Sequence, residues 1–270
     1  MKKILSLLFV LIISVTLVAC GNEEEDVIKV GATSTPHAEI LEEAKPLLEE
    51  EGITIEIEEY TEFSLPNPDL DEGVIDANYF QHIPFFNDEV ESKGYDIANI
   101  GGVHVEPMGV YSKNIKSLDD IPEGQEVIIS RNIPDHGRIL SMFEAQGLIT
   151  LAEGVDKGSA TLDDIVENPL NLTFSADVNP EFLIETYQNE EDALVAINTN
   201  YAIEAGLSPL HDALFVEGED SEYVNIIAVR AEDKDNEDLN KIVEVLQSEE
   251  IQNFIIEKYN GEVVPVGGSN

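Results

Sequence analysis

Three groups of side chains in this 270-residue sequence have the types and spacing to hold a small molecule. The first is NYFQHIPFF, which packs Tyr79, Phe80, Phe85 and Phe86 around His82. Rings and an imidazole at the end of a strand can wall in an apolar side chain. Helical spacing can equally send Phe85 and Phe86 into a core, the usual fate of such pairs. The second is Arg138 in DHGR, one of only 14 basic residues, placed by its pattern at the start of a helix just after Gly137. A helix start favours anions and a guanidinium fork fits a carboxylate. The other reading is a surface arginine paired with one of many acids. The third group is Asn198 in AINTNYA and Asn225 in YVNII. An amide offers both donors and acceptors to an ammonium and a carboxylate, although asparagines at such edges often cap or turn the chain.

Enzyme signatures are missing from the sequence. It has no G-x-S-x-G, no phosphate loop, no H-E-x-x-H and no dinucleotide fingerprint. His37, His82, His104, His136 and His211 are spread without metal-ligand spacing, so a zinc or manganese site would have to assemble in space. The expectation is a binding protein that is not an enzyme and needs neither cofactor nor metal.

Short β-rich runs alternate with amphipathic helices and must position these groups. IKVGAT (28–33), ITIEIEEY (53–60), GVIDANYF, EVIIS, LTFSA, ALVAIN and YVNIIAVRAE (223–232) read as strands. The segment 36–52 places Ile40, Leu41, Ala44, Leu47 and Leu48 on one helical face. PFFNDEVESKG and HGRILSMFEAQG end in glycine as helices do, and two more helices follow from about Glu237. TLDDIVENP reads as a short helix capped by Thr161, with Asp164 three residues on. The alternation predicts an α/β protein with largely parallel sheets. Two series of elements imply two lobes, with crossings near 111–116 and 221–225. The expected division is 28–112 with 226–270 for the first lobe and 113–225 for the second. Ligands bind beyond the carboxyl ends of such strands, so two facing lobes put a cleft there.

The charge excludes one class of partner. Fourteen basic against 56 acidic residues give −42, a field that repels phosphate backbones, so no nucleic-acid partner is expected. Lys2 and Lys3 precede an apolar run, 4–19, that is short for a membrane span but sized for a signal peptide. The run ends in LVAC before Gly21, an arrangement that resembles the lipobox of bacterial lipoproteins, and Cys20 is the sole cysteine, so no intrachain disulfide can form. Residues 1–19 are therefore expected to be removed, leaving Cys20 to carry lipid. Residues 20–27 would tether a body held on the extracytoplasmic face of the membrane.

Taken together, PHAEIL, IDANYFQHIPF, GGVHVEPMGVYSKNIKSLDDIP, DIVENPLNL, INTNYAIEAGL, SEYVN and LQSEEIQNFI resemble the methionine-binding lipoproteins of ABC importers, the NlpA family. The resemblance runs from about Ile28 to Pro265. It implies a two-lobed periplasmic-binding-protein fold of the second type, without catalysis, acting as a monomer with a permease and its ATPase. It places Phe63, Phe80 and His82 on the pocket wall, Arg138 on the ligand carboxylate, and Asn198 and Asn225 on the zwitterion. Two segments depart from the family pattern: SRNIPDH before Gly137, where the family reads P-N-D-P-T-N-x, and 174–192, which lacks L-E-A-x-Q-L-P. Methionine is the expected ligand. D-methionine, a methionine dipeptide, another apolar amino acid, a sensing role without transport and a metal ion are the alternatives.

Overall fold

The computed structural model describes residues 27–218 and 221–267. The predicted signal peptide and Cys20 lie outside the described residues. Strands β1 (Ile28–Thr33), β2 (Ile55–Tyr60), β3 (Ala77–His82) and β4 (Ile97–Val105) come first. Strands β5 (Gly109–Tyr111), β6 (Glu126–Ser130), β7 (Thr150–Leu151), β8 (Ile165–Glu167), β9 (Thr173–Val178), β10 (Leu194–Ile197) and β11 (Phe215–Val216) follow. The chain closes with β12 (Val224–Arg230) and β13 (Val264–Pro265).

They build two main sheets. The first has the order β13-β4-β12-β3-β1-β2 and the second β11-β5-β10-β6-β9, with β7 and β8 as a separate pair. The central strands of each sheet are buried on both faces and are apolar on both, while the edge strands β2 and β9 are partly exposed. In β12, Ile227 and Val229 join the core under the helices Glu39–Glu50, Glu237–Leu246 and Glu249–Tyr259. Ile226 and Ala228 face the opposite way, toward Leu70, Ile75 and Phe86. In the second sheet, Val127, Ile129, Leu194 and Ala196 pack on Ile139, Leu140 and Phe143 of the helix Ile133–Ala145. Ile128, Val195 and Ile197 turn to the other face, against Leu183. This is the period-two alternation of a strand written onto two cores.

Four expectations are corrected. The sheets are mixed: β1–β2, β1–β3, β6–β9 and β6–β10 pair parallel, while β12 runs antiparallel to β3 and β4, and β5 antiparallel to β10. Of these antiparallel strands, β5 and β12 arrive from the other sheet, and the edge strand β13 also runs antiparallel to β4. The first change of sheet falls between Val105 and Gly109, before the 111–116 stretch, because β5 already pairs in the second sheet. The helix that carries Arg138 begins at Ile133, since Pro134 fits a first turn and needs no amide partner there. Arg138 therefore lies in its second turn. Finally, TLDDIVENP is a single 3-10 turn, Leu162–Asp164, running into β8, although Thr161 and Asp164 do form the predicted capping box.

Candidate functional site

At the ends of β3 and β12 of the first sheet and β10 of the second, a small cavity collects all six residues predicted to hold a ligand. Phe63, Phe80, His82, Arg138, Asn198 and Asn225 line it, with His37, Phe85, Glu106, Asn132, Asp135, Thr199 and Asn200 among their neighbours. Its free volume is about 30 Å³, room for about one or two waters.

The aromatic wall comes from two places. Phe80 lies near the end of the buried strand β3, and Phe63 sits in the loop after β2 with its ring 6.1 Å from that of Phe80 and 5.1 Å from Tyr201. Phe85, read from spacing as core, also lines the cavity, whereas Phe86 is core as expected. His82 leaves β3 and caps the helix Ile83–Lys93, its Nδ1 accepting from the Phe85 amide at 3.1 Å. That bond places the ring proton on Nε2, which points at Asp135 Oδ1, 3.3 Å away. Burial lowers the His82 pKa, so the ring is neutral.

Asp135 ties the polar half together. Its Oδ1 accepts from Arg138 through Nη2 at 2.7 Å and Nε at 3.2 Å, and its Oδ2 accepts from Asn198 Nδ2 at 3.4 Å. Burial alone would raise its pKa, but the Arg138 guanidinium and His82 hold it well below the usual carboxylate range. Arg138 is buried, with Glu217 3.7 Å from Nη1 and the Tyr223 ring 4.6 Å from the guanidinium carbon. Burial would lower its pKa, and Asp135 and Glu217 reverse the shift.

The two asparagines do not act as caps. Asn198 precedes the helix Thr199–Glu204 yet makes no side-chain cap, and its buried Oδ1 has no hydrogen-bond partner. A buried acceptor without a donor is costly, and a ligand N–H can supply one. Asn225 lies in β12 between His82 of β3 and His104 of β4, and its Oδ1 receives His37 Nε2 at 3.1 Å.

Behind it runs a buried network. Glu106 Oε1 lies 2.8 Å from His104 Nε2 and 3.2 Å from His37 Nε2. Thr33 Oγ1 meets His37 Nδ1 at 2.6 Å, and the Tyr79 hydroxyl meets His104 Nδ1. Protons on both Nε2 atoms, with the hydroxyls donating to Nδ1, satisfy every ring nitrogen. Burial lowers His37 to about 4 and His104 to about 3, which keeps both rings neutral. Burial also raises the Glu106 pKa. The ligating atoms of His37, His104 and Glu106 lie within 4.8 Å of one another and could hold a metal ion, but the network is complete without one.

Sequence reasoning missed Glu106, Asp135 and His37 as site residues. Among 56 acidic residues nothing local marks two as buried. The one available signal was that Asp135 falls in a segment that departs from the family pattern.

Residues 28–267 match the family described as NlpA lipoprotein. The methionine-binding lipoprotein MetQ of Bacillus subtilis is 44% identical over 273 residues, covering 98% of this chain and 99% of its own. A crystal structure of a pheromone precursor/lipoprotein of the YaeC family from Enterococcus faecalis is 51% identical, with TM-score 0.87 over 89% of this chain and 100% of that one. A nutrient binding protein from Burkholderia cenocepacia, solved bound to methionine, is 36% identical with TM-score 0.83 over 88% of this chain and 99% of that one. No helix among the described residues is long and apolar enough to cross a membrane.

Proposed function

The chain belongs to the NlpA lipoprotein family, and we propose that it is the solute-binding protein of an ABC importer, capturing methionine and passing it to a permease driven by an ATPase. One observation carries the reading: apolar, cationic and amide groups suited to the three parts of an amino acid meet in one buried cleft between the lobes. The thioether side chain would lie among Phe63, Phe80, Phe85 and the edge of His82, where a polarizable sulfur is favoured against rings. The ammonium would donate to the vacant Asn198 Oδ1 and to Glu106. The carboxylate would go to Arg138, with Asn225 completing the shell.

The free volume is too small for methionine, so the lobes would open to admit it and close over it. Closure would excludes water from the charged contacts and strengthen them. The closed form is the one that docks on the permease. No nucleophile or acid–base pair is assigned, and the protein acts as a monomeric receptor rather than an enzyme. Cys20 would carry the lipid that holds it on the extracytoplasmic face.

Mass spectrometry of whatever co-purifies with the protein, followed by calorimetric titration of ligand-free protein with L-methionine, tests the reading. Release of methionine and saturable rebinding are expected. A different co-purified solute, with no heat on adding methionine, would overturn it.

A further inference from the structure

Asp135 brings into the cleft the same chemical group that the ligand would bring. Its carboxylate already takes two donors of Arg138, the Asn198 amide and the His82 ring, three of the six predicted ligand-holding residues. It is 2% exposed, so these contacts are made out of water. Arg138 is the one cation among the residues lining the cavity, and Asp135, Glu217 and Glu106 face it or share the cleft. The neutral His37 and His82 add no positive charge.

We infer that Asp135 is a specificity-determining residue that competes with a ligand carboxylate for Arg138, so that this cleft tolerates ligands whose carboxyl end is a neutral amide. The inference rests on the methionine reading above and refines it. A free α-carboxylate must share Arg138 with a second, desolvated carboxylate, which weakens its hold. An amide at that position suffers no such repulsion, and its N–H can donate to Asp135. The ammonium end is served equally well in both ligands.

Asparagine at this position keeps the shape and removes the charge. The experiment is calorimetric titration of ligand-free wild-type and Asp135→Asn protein with L-methionine and L-methioninamide at pH 6, where the α-amino groups are protonated. The wild type is expected to favour methionine by no more than about tenfold. Asp135→Asn is expected to raise that preference by roughly 10- to 100-fold, the range of one charge-assisted hydrogen bond, through tighter methionine binding. If Asp135 only braces Arg138, the variant binds methionine more weakly or the preference is unchanged, and either result overturns the proposal. Should the variant fail to fold, the wild type alone decides, since a preference for methionine above about 100-fold would show Arg138 free to serve the carboxylate. Binding of both ligands with an unaltered preference sinks this inference alone. Failure of both proteins to bind either ligand sinks the methionine reading with it.

Discussion

At the scale of single residues, burial decides what each polar group can do. Arg138 and Arg131 look alike in sequence, seven positions apart. Arg138 is buried against Asp135, while Arg131 is exposed and reaches Asn179 at 3.0 Å. Arg138→Ala should weaken methionine binding by on the order of 100-fold or more, because a charge-assisted contact is lost and a desolvated carboxylate is left facing acids. Arg138→Lys should recover only part, since an ammonium makes no fork. Arg131→Ala should bind as the wild type does. Titration calorimetry on the three variants checks this, and loss of binding in Arg131→Ala alone would move the carboxylate site elsewhere. The histidines behind Asn225 predict a pH dependence. His37 and His104 are neutral when folded down to about 4 and about 3, but titrate at 6.5 when unfolded. Below 6.5 the unfolded chain binds more protons, so their contribution is fully present above that pH and is lost on acidification toward pH 3–4. Each ring makes the slope up to roughly 1.4 kcal/mol per pH unit. Glu106, raised by burial, works in the opposite direction. Thermal melts from pH 7 to pH 4 should fall, and His104→Gln should flatten the decline. An identical slope in the variant would show that other groups govern it.

At the scale of elements, the helix Ile133–Ala145 sets the depth of Arg138. Gly137 lies where that helix crosses the loop at Lys157 and Gly158. A Cβ there would meet the Gly158 carbonyl oxygen at 2.5 Å, closer than real contacts allow, and the Lys157 carbonyl is no farther away. Both obstacles are backbone and cannot swing aside. Gly137→Ala should therefore cost about 1–3 kcal/mol in stability, as overpacking does. It should also weaken ligand binding by displacing Arg138. Chemical denaturation and titration of the same variant check both, and a variant as stable as wild type would mean that the loop yields freely. The helix Ile83–Lys93 shows how far local chemistry can be read directly. Pro84 in its first turn, the His82 cap and Gly94 in the left-handed conformation at its end all follow from residue type.

At the scale of the whole molecule, the charge and the proposed anchor are open to test. Removing residues 1–19 with Lys2 and Lys3 takes the net charge from −42 to −44. Such a surface repels itself, and the Debye length falls from about 10 Å at 0.1 M salt to about 3 Å at 1 M. Melting temperature should rise along a sodium chloride series. A flat or falling series would mean that the acids are spaced or paired well enough already. Cys20→Ser should leave an unprocessed precursor or release the protein into the medium. Normal processing with unchanged membrane fractionation would refute lipid attachment at that residue.

The sequence by itself determined most of the elements and the chemistry of the ligand-facing groups. Strand alternation, glycine stops and the order of motifs depend on neighbours in the chain, and so they are legible there. Phe63, Phe80, His82, Arg138, Asn198 and Asn225 were named from the sequence and its family resemblance, and the fold brings them to one cavity. Tertiary structure decided the remainder. The change of sheet before β5, the antiparallel course of β12 and the Asn225 position between two histidines depend on pairing partners far away in the chain. Asp135 and Glu106 stand out from the other acids only because the two lobes remove water from them. Desolvation is a property of the assembled lobes, and no run of neighbouring residues encodes it locally.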